Sequence, residues 1–302
     1  MPTVFVVGSS NLDYSVVVEH LPDPGATVPG AGFTQSVGGK GANQAVAAYR
    51  AGADVVFVTK VGMDPQGDLI TSHLRESGLS PTWLLRDPIR ESGVALILVE
   101  RTGRNQIVVA PGSNHALTPQ EVQRALSVMT GDDLLLIQLE ISLSTVRAAL
   151  EAAKGRGART VLNPAPAQPF AQDLLAMVDV LVPNETETTA LTGCTDMEEA
   201  GRLLVGQGPK TVIVTLGDRG ALLCQATGCR WIAPYPVQAV DSTAAGDAFC
   251  GALACGLAEG WSLDRTIRFA NAAGALTTTK RGALESLPLR AEMIRLQEEA
   301  GG

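Results

Sequence analysis

Histidine and aromatic side chains are scarce in this 302-residue chain: His20, His73 and His115 stand far apart, and Phe, Trp and Tyr together make up 4%. Scattered histidines offer no zinc set, and without a G-x-S-x-G turn a hydrolytic serine triad has no foothold. No apolar run approaches the ~20 residues that cross a bilayer, so no membrane association is expected although 45% of the residues are hydrophobic. No stripe of Lys and Arg is present either. A formal net charge of −8 works against nonspecific attraction to nucleic acid phosphates. The five cysteines, Cys194, Cys224, Cys229, Cys250 and Cys255, include no C-x-x-C pair, and reduced, mostly buried thiols are expected. The chain enters the apolar run 4–7 without the basic start and cleavage site of a secretory signal, so a cytoplasmic location is expected. Internal repeats, low-complexity tracts and long linkers are also absent.

The length suffices for one large α/β domain. From about residue 117 onward, helical stretches alternate with the short apolar runs 134–137, 160–162, 180–182 and 212–214. That is the pattern of a mostly parallel sheet with helices on both faces, and it recurs at 4–7 and 55–61. The stretches 14–36 and 92–110 differ. The second holds the runs 94–99 and 106–109, and both read as hairpin strands of a small sheet beside the main body. Helices are expected after Gly41, Asp64, Thr118, Ser142, Asn184 and Gly246, several with Asp, Asn, Ser or Thr at or beside the cap.

Five short constellations carry chemistry. Gly38-Gly39-Lys40-Gly41-Ala42-Asn43 precedes an alanine-rich helix. Its glycines admit a ligand close to the backbone, or serve a tight turn opening the helix. It is not a Walker A loop, because position 34 is Thr and Gly41 follows the lysine. Gly8-Ser9-Ser10-Asn11-Leu12-Asp13 follows the first strand, where open α/β sheets place ligands. It lacks the G-x-G-x-x-G of a nicotinamide site, while its alternating amide and carboxylate suit sugar hydroxyls or an ordinary turn.

The third, Asp241-Ser242-Thr243-Ala244-Ala245-Gly246-Asp247, opens a small-residue helix. Amides of Ala244, Ala245, Gly246 and Asp247 exposed at a helix N-terminus, together with the helix dipole, favour an anion. Asp247 in the first turn can accept a proton from a hydroxyl held in front of them, so anion hole and base share one turn, as phosphoryl transfer requires. The plainer reading is a carboxylate that complements the dipole. The fourth, Asn184-Glu185-Thr186-Glu187, reads equally as a capping box or as an amide and carboxylate beside water-bridged Mg²⁺. The fifth, Thr215 to Gly220, suits a nucleotide at a sheet edge or a plain hairpin turn.

Gly38 to Ala45 is similar to the N-terminal signature of the ribokinase family of carbohydrate kinases, Asp241 to Asp247 to its C-terminal signature, and Asn184 to Glu187 to its N-x-x-E motif. The likeness runs from Val4 through about Pro288. It implies a three-layer α/β/α, doubly wound, mostly parallel sheet within one domain over 1–302, with a β-sheet lid from about 14–36 and 92–110. It also implies ATP-dependent phosphorylation of a sugar, foremost D-ribose at its 5-hydroxyl. Deoxyribose, fructose derivatives, 2-keto-3-deoxygluconate and nucleosides are the rival acceptors.

Carried over by position, the resemblance assigns Asn11, Asp13, Gly39, Lys40, Asn43 and Glu140 to the sugar and Asp247 to the base. It assigns Asn184, Thr215, Gly217, Gly220, Gly246 and Asn271 to ATP, with Glu187 organising Mg²⁺. A K⁺ site is implied at Asp241 and Ser286, with carbonyls near Thr243, Thr277, Lys280 and Gly282. The lid is expected to pair with its copy in a homodimer. Two readings from other classes compete: a non-catalytic sugar or nucleotide sensor, opposed by an intact Asp247, and a dinucleotide-dependent oxidoreductase, opposed by the missing glycine fingerprint.

Overall fold

A computed structural model describes residues 2–100, 102, 104–168 and 172–301; Arg101 and Gly103, inside the second lid stretch, lie outside the described residues, as do Met1 and Gly302 at the ends of the expected domain. The strands in chain order are β1 (Thr3–Val7), β2 (Asn11–Val18), β3 (Gly30–Gly38), β4 (Asp54–Gly62), β5 (Leu84–Asp87), β6 (Gly93–Glu100) and β7 (Asn105–Ala110). They continue as β8 (Leu134–Ile137), β9 (Arg159–Leu162), β10 (Val180–Leu181), β11 (Thr211–Thr215), β12 (Ala221–Gln225) and β13 (Gly228–Ile232). The helices are α1 (Lys40–Arg50), α2 (Pro65–Glu76), α3 (Pro119–Ala125), α4 (Leu143–Gly155), α5 (Glu185–Thr192), α6 (Met197–Gly206), α7 (Ala245–Ala258), α8 (Leu263–Thr278) and α9 (Arg290–Gly301). Asp64, Thr118, Ser142 and Asn184 cap α2 to α5 with their side chains, as expected.

Nine strands form the central sheet in the order β13-β12-β11-β10-β9-β8-β1-β4-β5. All neighbours are parallel except the terminal run β11-β12-β13. Because both faces are covered, the strands read as continuous apolar runs whose alternate residues enter two cores. Val4, Val6, Leu134 and Leu136 pack with α1, α2, α7 and α8, whereas Phe5, Val7, Leu135 and Ile137 pack with α3, α4 and α6. The result is the expected α/β/α sandwich. The strand order reverses around β1, which lies between β8 and β4, and ligands in open sheets bind outside the strand ends at such a point.

The second sheet has the order β3-β2-β6-β7, with β2 antiparallel to β3 and parallel to β6. It is the expected small sheet, but its strands reach further than 14–36. Asn11 and Asp13 belong to β2 rather than to the end of β1, and their two-residue spacing in a strand puts both on one face.

The contact between α1 and α7 is unusually close. A Cβ at Gly251 would lie 2.5 Å from Ala47 Cβ and 2.7 Å from the Gln44 carbonyl oxygen, so only glycine fits against the alanines of α1. One turn earlier on α7, Asp247 is brought against Asn43 and Gln44.

One expectation fails here. Cys224 and Cys229 are bonded to each other, while Cys194, Cys250 and Cys255 are free. A two-residue turn between β12 and β13 sets the pair directly opposite in the ladder, with Cα atoms 4.1 Å apart.

Candidate active site

Residues from the ends of β1, β8, β9 and β10, the start of α1 and the start of α7 converge at the carboxyl edge of the central sheet. The glycines of the first motif serve the protein's own backbone. Gly39 adopts φ 91°, and a Cβ at Gly41 would meet the Gly8 carbonyl carbon and Ser9 nitrogen at 2.5 Å. The start of α1 is thereby pressed onto the end of β1, and α1 begins at Lys40 rather than after Gly41. Glu140 accepts from the Ser9 hydroxyl at 2.5 Å and the Lys40 N–H at 3.0 Å, which fixes its carboxylate over the same junction.

Asp247 is 7% exposed and faces amides rather than apolar side chains. Asn43 Nδ2 donates to its Oδ2 and Gln44 Nε2 to its Oδ1, both at 2.9 Å. Ahead of it, Ala244 has φ 60°, the only positive value among the described non-glycine residues, a conformation costing roughly 1–2 kcal/mol for an L-residue. This turn starts α7 abruptly. The expectation of four free amides is corrected in one respect: Ala245 N–H is bonded to the Ser242 carbonyl at 3.2 Å, which closes the turn. Among the described residues, no partner is found for the N–H groups of Ala244, Gly246 or Asp247, so three remain to receive an anion.

The electrostatics concentrate around one lysine. Burial works to lower the Lys40 ammonium, but the carboxylates of Asp247, Glu140 and Glu187 outweigh it and hold it above the ordinary lysine range. Burial pushes the Asp247 carboxyl up, opposed by the Lys40 charge and the two amides. Asp13 is raised to about 7, first by burial and then by the charges of Glu140 and Asp247. Asp13 Oδ1 and Asn43 Oδ1 are both buried without a hydrogen-bond partner. Unpaired buried acceptors are costly, and two beside one carboxylate point to a ligand that donates O–H groups. Sequence reasoning missed Asn114, which accepts from Ser10 N–H and donates to Asn11 Oδ1 at 2.7 Å. It also missed Gln44, Gln138 and Asn163, which stand behind the carboxylate.

The nucleotide candidates form a second group. Asn184 and Glu187 make the reciprocal capping box: Glu187 N–H donates to Asn184 Oδ1, and Asn184 N–H and Nδ2 donate to the two Glu187 oxygens. Asn184 bridges to Thr215, which opens the turn holding Gly217 and Gly220. Asn271 donates to the Ala233 carbonyl at 2.9 Å and so tethers the segment leading from β13. Among the described residues no group of three His, Cys, Asp or Glu could cage a metal.

Asp241 accepts from Thr243 N–H and hydroxyl on one oxygen and from Gly282 N–H on the other, and so ties the loop before α7 to the segment after α8. Burial of Asp241 is outweighed by these bonds, and its carboxyl lies below the ordinary range. The other cation candidates are otherwise engaged through their side chains. The Thr277 and Ser286 hydroxyls donate to the Ala273 and Ala283 carbonyls, and Lys280 pairs with Glu292. Asp241 is the one carboxylate of this set, and a carboxylate oxygen is a donor that suits a monovalent cation. A separate groove at the opposite ends of the strands, lined in part by Lys154, Asp179 and Lys210, has these charges paired with one another.

The pfkB family carbohydrate kinase pattern matches residues 1–290, and the chain belongs to that family. That family and the relatives below make the chain an ATP-dependent sugar kinase. Among its relatives, the ribokinase of Haemophilus influenzae is 39% identical, with 99% of each chain covered. A ribokinase structure from Thermotoga maritima superposes with a TM-score of 0.90 at 35% identity, covering 99% of this chain and 100% of that one. The Arabidopsis thaliana ribokinase, solved with ribose and ATP, superposes with a TM-score of 0.88 at 31% identity and 98% coverage of each.

Because Asp13 is raised above its unfolded value, its protonated form stabilises the fold below about pH 4, and that contribution is lost as pH rises through about 7. Asp13→Asn is therefore expected to gain stability relative to the parent by about 1–3 kcal/mol between pH 4 and pH 8, read by urea unfolding. A difference that is flat with pH shows that Asp13 titrates normally.

Proposed function

We propose that this enzyme is an ATP-dependent kinase that transfers the γ-phosphoryl group to the 5-hydroxyl of D-ribose, giving ribose 5-phosphate, as a cytoplasmic enzyme of small-molecule metabolism. The observation that carries the acceptor class is the pair of orphaned oxygens, Asp13 Oδ1 and Asn43 Oδ1, beside the clasped Asp247 carboxylate. A polyhydroxylated ligand satisfies both. Ribose, rather than another sugar, is supported by the likeness to ribokinases described above.

In this reading Asn11, Asp13, Gly39, Lys40, Asn43 and Glu140 hold the sugar with its terminal hydroxyl against Asp247. Asp247 takes the proton as the sugar oxygen bonds to phosphorus, the bond from phosphorus to the bridging oxygen breaks, and ADP leaves. The free amides of Ala244, Gly246 and Asp247, with the α7 dipole, support the charge of the moving phosphoryl group. Asn184, Thr215, Gly217, Gly220 and Asn271 line the nucleotide side. Glu187 would organise the Mg²⁺ carried with the nucleotide, which would supply neutralisation of phosphate charge. K⁺ at Asp241 with nearby carbonyls would hold the loop that presents the amides.

The test is turnover of Mg-ATP with ribose, deoxyribose, fructose, 2-keto-3-deoxygluconate and a nucleoside. Ribose is expected to have the highest kcat/KM, and Asp247→Asn to lower kcat by about 10²–10⁴-fold with ATP affinity kept. A better acceptor elsewhere in the panel overturns the ribose assignment, and a fully active Asp247→Asn overturns the base. Replacing Na⁺ by K⁺ is expected to raise the rate, and Asp241→Ala to abolish that response; equal rates in both salts remove the cation site.

The lid presents exposed apolar side chains on both faces, Leu96 and Val108 on one and Ile107 and Val109 on the other, consistent with pairing to a second copy. A dimeric mass in sedimentation is expected at micromolar protein, converted to a monomer by Ile107→Glu or Val108→Glu. A parent that sediments as a monomer removes the pairing.

A further inference from the structure

A carboxylate base works only while one lone pair faces the hydroxyl it deprotonates, so something must hold its rotation. Asn43 holds one oxygen of Asp247, but Asn43 is itself assigned to the sugar and its Oδ1 lacks a partner until a ligand arrives. The other oxygen is held by Gln44, which is fully buried and out of reach of any substrate. An ionised carboxylate only accepts, so the Gln44 amide nitrogen must face it, and the rest of the chain agrees with that orientation. The second hydrogen of Gln44 Nε2 goes to Asn163 Oδ1 at 3.0 Å, and Asn163 Nδ2 donates to the Val182 carbonyl at 2.8 Å. Gln44 Oε1 accepts from Gln138 Nε2 at 2.6 Å. Both Gln44 and Gln138 are 0% exposed. Amides from α1 and from the ends of β8 and β9 thus lock one oxygen of a group on α7 through two glutamines with no exposed surface and Asn163 at 8%.

We propose that Gln44 is a positioning residue for the phosphoryl-transfer step, holding the Asp247 carboxylate in its reactive rotamer and in its ionised form through the buried amide chain Gln138–Gln44–Asn163. This rests on the reading of Asp247 as the base. The charged and titratable groups around Asp247 are Lys40, Glu140, Glu187, Asp13 and Cys250. All are retained in the variants below.

The experiment compares kcat against pH at saturating sugar and Mg-ATP, where Asp13 is engaged, for the parent, Gln44→Met and Gln44→Glu, with Asp247→Asn as control. Gln44→Met keeps the volume and loses both N–H donors. Its kcat is expected to fall about 10- to 100-fold with KM for both substrates within about threefold, and the acid limb of its profile to move to higher pH because the ionised carboxylate has lost a donor. Gln44→Glu sets a second carboxylate against the first, so its rate is expected to fall as pH rises, opposite to the parent. An unshifted acid limb in Gln44→Met, or a loss confined to KM, overturns the proposal. A fully active Asp247→Asn instead removes the base on which it rests. Should Gln44→Met fail to fold, Gln138→Met, which leaves both Gln44 donors in place and frees its carbonyl, is expected to show a smaller shift of the same sign. An unmoved limb there overturns the proposal equally.

Discussion

The clasp of one carboxylate by two consecutive amides, Asn43 and Gln44 on Asp247, is the interaction on which the rest of this site depends. It joins two helices more than two hundred positions apart in the chain, and it forms only because their backbones come unusually near. Gly251 permits that approach by leaving no side chain where Ala47 and Ala48 lie. Gly41 does the same between α1 and the end of β1. Small residues in a tightly packed interior thus set the position of a buried polar group.

The site also concentrates negative charge. Glu140, Asp247 and Glu187 are gathered around Lys40, with Asp13 repelled by Glu140 and Asp247, and burial strengthens those repulsions. Left alone this arrangement is unfavourable, as the raised Asp13 carboxyl and the orphaned oxygens of Asp13 and Asn43 both register. Such cost is common where a protein is built for a ligand rather than for its own stability. Hydroxyl donors relieve the orphaned acceptors. The free amides at the start of α7 offer a balancing positive potential for an anion. The sheet edge supplies the frame, since the strand order reverses at β1 and opens the crevice where these elements meet.

Much of this was legible in the residue order. The apolar runs announced a parallel sheet covered on both faces, because strands buried on two sides must be apolar throughout. Asp64, Thr118, Ser142 and Asn184 marked their helix starts through local hydrogen bonding that needs no distant partner. Asp247 stood out for the same reason: a carboxylate in the first turn after small residues has a local electrostatic meaning. For Asn184-x-x-Glu187 the coordinates add the capping box itself, in which both Glu187 oxygens serve the cap.

What the chain order by itself determined was therefore the short-range part: element types, caps, the small second sheet and the turn bearing Asp247. What only the tertiary structure decided was long-range pairing. Cys224 and Cys229 meet because a two-residue turn puts them in register, Ala245 N–H is consumed by the turn that frees its neighbours, and Gln138, Gln44 and Asn163 line up behind Asp247. A buried amide side chain carries no periodic or local signature. Its role is set by which distant donor or acceptor the packing brings within about 3 Å, and that distance exists only once the helices have closed on the sheet.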